Sequence, residues 1–117
     1  MNVGYLGGNM SIKLLEHLRD ELIRSGAVRN TQEFCRAWLG RSEGYIRTLR
    51  SHGTGPSVET LSICSHKLGH YAERLHTTGT TEHGNLALQF ERLKDLCDQT
   101  IATHAEAVWR APERMSA

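Results

Sequence analysis

Thr31–Arg50 reads TQEFCRAWLGRSEGYIRTLR, two short helical patterns parted by Gly40. In the first pattern Phe34, Cys35, Trp38 and Leu39 recur at spacings of three and four residues, and in the second Ile46 and Leu49 do the same. Each pattern therefore predicts a short helix with one apolar face. Asn30 or Thr31 is placed to cap the first helix and Ser42 the second, since a short side-chain oxygen can accept from a free N–H of the first turn. Between residues 34 and 56 the charge is +3, from Arg36, Arg41, Arg47 and Arg50 against Glu43 alone. The whole chain carries only +1, so any anion-binding surface is local rather than a property of the molecule.

Working outward, SIKLLEHLRDELIRS supplies a helix capped by Ser11, with Ile12, Leu15, Leu18 and Leu22 on one stripe and Leu14 beside it. Gly26 follows at a natural C-terminal position. After the His52–Gly55 loop, Pro56 and the cap Ser57 open a fourth helix carrying Val58, Leu61, Ile63, Cys64 and Leu68, which Gly69 is expected to end. HYAERLH predicts a further short helix through Tyr71 and Leu75, and TTGTTEHGN a loop. Asn85 then caps a long helix in which Leu86, Phe90, Leu93, Cys97, Ile101, Ala105 and Val108 form an apolar stripe more than five turns long.

These elements predict an all-α fold without strands. At 117 residues, with 38% hydrophobic and 23% charged residues, the chain has room for one core and one appended helix. The expected organisation is a flexible lead over 1–10, a helical domain over 11–76, and the long helix over 85–110, which either folds back or pairs with a second subunit. Residues 81–117 sum to −2, a different charge from the basic middle.

Several classes of function are not expected. Cys35, Cys64 and Cys97 are odd in number and lack any CxxC spacing, which fits small buried residues in a reducing compartment better than a metal or redox site. Seven histidines are scattered without a HExxH spacing, and no metal or other cofactor is expected. No phosphate-cradling GxxxxGK[ST], no GxSxG and no carboxylate pair with a supporting histidine is present, so the chain is not expected to be an enzyme. No apolar run is long enough to span a membrane, and MNVGYLGGNM lacks the basic start and apolar core of a signal peptide. A cytoplasmic protein is expected.

The order of these pieces resembles a known family. Thr31 and Gln32, Leu39 and Gly40, the spacing of Ser42, Ile46 and Leu49, and the run from Gly53 to Leu61 containing PSVETL are similar to the lambda-repressor and Cro type of helix-turn-helix domain, the XRE type. The resemblance covers residues 11 to about 70. It implies a compact domain of four to five helices in which the second bracing helix crosses a DNA backbone and the third lies in the major groove. Gln32 then matches a phosphate contact and Ser42 the cap of the recognition helix, while Glu43, Gly44, Arg47 and Thr48 match its outer face. Arginine suits guanine, glutamate cytosine, and threonine a thymine methyl or a phosphate. Arg41, Arg50 and His52 flank that face as phosphate contacts. Tyr45 is expected either to pack beside Leu49 or to offer its hydroxyl to a phosphate, and Trp38 to pack on the first and fourth helices.

Three departures from the family accompany the resemblance. Phe34 and Cys35 stand one residue further from Gly40 than the family's apolar and small pair, so a helix one residue longer is expected rather than a buried Arg36. Arg50 replaces the acidic residue that often ends the recognition helix. Gly44 falls in that helix's first turn, where glycine costs about 0.5–1 kcal/mol relative to alanine. The reading is a sequence-specific regulator of transcription that binds double-stranded DNA, paired as a homodimer through the stripe from Leu86 to Val108. The alternatives are a protein-interaction module or anti-activator that keeps the fold and captures a protein partner, and the antitoxin of a toxin pair.

Overall fold

Ser11 starts the first helix as its sequence suggests, its hydroxyl accepting from the Lys13 N–H at 3.0 Å. The computed structural model describes residues 11–115, so the lead expected over 1–10 lies outside the described residues. The elements are α1 (Ile12–Arg24), α2 (Thr31–Glu33), a π-helix (Phe34–Trp38) that continues α2 without a break, α3 (Tyr45–His52), α4 (Val58–His76), α5 (Thr81–Arg110) and a final turn, α6 (Pro112–Met115). The fold is all-α.

One core joins these helices. Leu15, Leu18 and Leu22 of α1, Phe34 and Cys35 of the π-helix, Leu39, Ile46 of α3, and Leu61, Cys64 and Leu68 of α4 are fully or almost fully buried. Burying each large apolar side chain stabilises the fold by about 1.5–3 kcal/mol. Trp38 lies against α4 and α5, with its ring centroid 5.7 Å from Tyr71 and 5.9 Å, edge-on, from Phe90. Val58 and Ile63, expected to line the core, are more than a third exposed on the outer side of α4.

The extra residue before Gly40 is accommodated by the π-helix. At the ends of α1 and α3 the closing bonds, from the Ala27 N–H to the Leu22 carbonyl and from the Thr54 N–H to the Leu49 carbonyl, span five residues. At Gly40 the Arg41 N–H donates to the Cys35 carbonyl at 3.0 Å, a span of six. The wider turn keeps Phe34 and Cys35 buried and leaves Arg36 exposed. Gly40 itself has φ +67°, the left-handed conformation that ends helices and that a side chain disfavours.

Three boundaries differ from the sequence-based expectation. Ser42 does not cap α3: Gly44 does, at φ −94° and ψ 11°, and residues 42–44 belong to the turn. Gly44 is thus relieved of the helical conformation in which glycine is costly. Gly69 does not end α4, which runs unbroken for 19 residues and absorbs the short helix expected through Tyr71 and Leu75. α5 begins at Thr81 rather than after Asn85, because the Thr80 hydroxyl accepts from the His83 N–H at 3.1 Å.

Gly69 remains inside α4 because its missing side chain is used. The aliphatic carbons of Lys94 cross the helix there, 3.2 Å from where a Cβ would stand. The Lys94 ammonium thereby reaches Ser65 Oγ at 3.0 Å and Asp98 Oδ2 at 3.2 Å, while the buried Ser65 hydroxyl donates to Asp98 Oδ1. This closed triad pins α4 against α5. One residue before its serine and its aspartate lie Cys64 and Cys97, both fully buried, and the hydrogen bond that the Cys64 thiol makes to Cys97, reinforced by burial, raises the Cys64 thiol far above the ordinary range.

The long helix therefore folds back along its first half. Ala87, Phe90, Leu93 and Cys97 are buried in the chain's own core, with Leu86 and Ile101 packed against it. Phe90, Leu93 and Cys97 are thus corrected as dimer contacts, because intramolecular packing already removes them from water, while Leu86 and Ile101 are only partly covered. Of the expected stripe, Ala105 is exposed and Val108 half-buried, next to Trp109, which is 57% exposed.

Candidate nucleic-acid interface

Ile46 and Leu49 turn inward and fix which way α3 faces. Arg47, Thr48 and Ser51 then share its outer face and are exposed, with His52 at its end. The helix is eight residues long and closes on Gly53, whose N–H donates to the Arg50 carbonyl at 3.2 Å.

The turn before α3 is braced by Arg41. Arg41 Nε donates to Thr60 Oγ1 at 3.0 Å and an Arg41 terminal nitrogen to Ser57 Oγ at 3.3 Å, with Glu59 at 3.9 Å. Its guanidinium also lies 5.4 Å from the centroid of the Tyr45 ring. The Tyr45 hydroxyl is 3.2 Å from the same Thr60 Oγ1. Arg41 and Tyr45, both expected as DNA contacts, here tie the turn and α3 to the first turn of α4. Their polar groups are committed to a half-buried network around Thr60, which has no exposure of its own.

The other arginines divide similarly. Arg50 pairs with Glu16 of α1, so the phosphate clamp expected there is engaged in holding α3 to α1. Arg36 stands 3.8 Å from Glu43, both side chains well exposed, which places Glu43 in an ion pair across the turn rather than alone on a reading face. Among the described residues no carboxylate lies within ion-pair distance of Arg47. Its guanidinium instead rests over Gly44, 2.8 Å from the position a Cβ would take. Gly44 thus provides the seat on which the one unpaired arginine of the segment lies.

Gln32 and Ser42 are exposed, as their expected roles need. The Asn30 side chain, one position before Thr31, accepts from the Glu33 N–H at 2.8 Å and caps α2. Glu33 Oε1 in turn accepts from the Arg29 N–H at 2.7 Å. That backbone hydrogen bond, helped by the Arg29 charge, holds the Glu33 carboxyl below the usual range. Sequence reasoning missed Ser51, whose place one turn after Arg47 was its only signal, and Glu16, whose pairing with Arg50 across 34 residues leaves none.

Among the described residues no three potential ligand side chains gather into a metal site, and no helix is long and apolar enough to cross a membrane. The chain belongs to a family of unknown function (DUF6626), whose model matches residues 15–110, from the first buried leucine of α1 to the last residue of α5. No curated protein and no solved structure matches the chain.

Proposed function

We propose that this member of a family without an assigned function is a sequence-specific DNA-binding regulator of transcription, working in the cytoplasm, that places the outer face of α3 in the major groove. The observation that carries the reading is Arg47, exposed, unpaired among the described residues and seated on Gly44 while the neighbouring arginines are spent on bracing. A helix presented in this way spends little entropy on binding, since α1 and α4 already fix it from either side. Arg47 would read a guanine edge, Thr48 and Ser51 would contact a base or phosphate, and Gln32, Ser42 and His52 would hold the backbone.

A dimer remains part of the proposal, confined to what the fold leaves free: the end of α5 with Ala105, Val108 and Trp109. Two copies joined there would double the phosphate contacts, which steepens affinity at a given salt. The second reading, a protein-interaction module, has its own support in Val58, Ile63 and Tyr71, all more than a third exposed along α4.

Recovery of genomic DNA fragments on the purified full chain separates these readings. A shared sequence motif among the fragments, absent from those recovered with Arg47→Ala, is the expected result. Recovery without any motif at moderate salt would sink the DNA reading and leave the interaction module.

A further inference from the structure

We propose that the groove between the π-helix, α4 and the start of α5 binds a small aromatic carboxylate. The groove holds about 850 Å³, within the range of small-molecule sites, and is walled by Trp38, Tyr71, Leu75, Leu86 and Phe90. Its aromatic walls meet at angles, with Trp38 tilted 42° to Tyr71 and 86° to Phe90. Trp38 and Phe90 are 5% and 3% exposed and form the floor of the groove, so a further ring packs chiefly against Tyr71, which is 39% exposed.

The charge in the groove selects the ligand. Lys67 and Arg74, seven residues apart on α4, line it on the same stripe as Tyr71. The Lys67 ammonium donates to the Ala37 carbonyl and lies 5.1 Å from the Trp38 centroid and 5.9 Å from that of Tyr71. It keeps two further donors, and by occupying the ring faces it repels a cationic ligand. Arg74 is exposed, with no carboxylate in ion-pair distance among the described residues, and its planar fork suits a carboxylate. Two carboxylates also line the groove. Glu33 is held by the Arg29 N–H and lies 3.5 Å from the Arg29 side chain, and Glu73 also borders the neighbouring groove with Lys94 and Asp95. Arg29, which lies outside the groove, neutralises Glu33, so Lys67 and Arg74 against Glu73 leave one positive charge over the apolar walls, the complement of an aryl monocarboxylate.

The test is a titration of the full chain with phenylacetate, followed by the Trp38 indole N–H resonance, which Trp109→Phe distinguishes from the second tryptophan. The probes phenylacetamide and phenethylammonium keep the ring and change the charge. A saturable Trp38 shift with a sub-millimolar Kd is expected for phenylacetate, with binding about tenfold weaker for the amide or for Arg74→Gln and no weaker for Glu73→Gln. Both substituted residues are exposed, so the variants fold. An absent or unsaturable shift at Trp38 overturns the proposal, as does equal affinity for the amide or the amine, or unchanged affinity in Arg74→Gln. The experiment contains no DNA, so its outcome is independent of what α3 reads.

Discussion

Gly44 and Arg47 act as one unit. The backbone of Gly44, at φ −94°, is open to any L residue, so Gly44→Ala should change the unfolding free energy by no more than about 0.5 kcal/mol in thermal denaturation. The added methyl group would displace the Arg47 guanidinium, which sits 2.8 Å away, and DNA affinity should fall in the same variant. Arg41→Ala should behave in the opposite way, costing about 1 kcal/mol of stability because Thr60 and Ser57 lose a donor. At Glu33 the folded-state carboxyl titrates below its unfolded value, so folding favours its charged form. Its contribution is present at neutral pH and is lost as pH falls through that lowered value. Thermal scans across the acid range should therefore fall less steeply for Glu33→Gln than for the wild type. The basic segment and its individual arginines were legible in the sequence, but their roles were not. Arg41 and Arg50 find their partners 16 to 34 residues away, and no local pattern encodes such contacts.

Among the elements, the π-helix shows why pattern alone was insufficient. Phe34, Cys35, Trp38 and Leu39 fall on one face whether the turn holds 3.6 residues or more, so periodicity placed them in the core without revealing the wider turn. The one-residue mismatch against the repressor-like pattern was the only trace of it. Gly69 is the converse case, where a helix-breaking residue was read locally and packing reversed it. Gly69→Ala gains helix propensity of about 1 kcal/mol but must shift Lys94, which stands 3.2 Å away. In a double-mutant cycle, Gly69→Ala should stabilise the Lys94→Ala protein by more than it stabilises the wild type, read from denaturant midpoints. Additive effects would show that Lys94 does not use the space at Gly69.

At the scale of the molecule, α5 is a structural member before it is an interface. Removing residues 85–117 takes Ala87, Phe90, Leu93 and Cys97 out of the core, so the truncated chain should lose its cooperative thermal transition rather than become a folded monomer. The amphipathic stripe was visible in the sequence, yet a stripe says only that it must be buried and not against what. In the proposed dimer Val108 and Trp109 would pack against a second copy, so Val108→Glu should halve the solution mass measured by light scattering while leaving the fold intact. The central claim is tested most directly by titrating a recovered DNA fragment and its scrambled counterpart with the wild type and with Arg47→Ala at physiological salt. A preference of about 10³ or more for the recovered sequence in the wild type, reduced by about 1–3 kcal/mol in an Arg47→Ala protein of unchanged stability, is the predicted result. Equal affinity of the wild type for both fragments would contradict it.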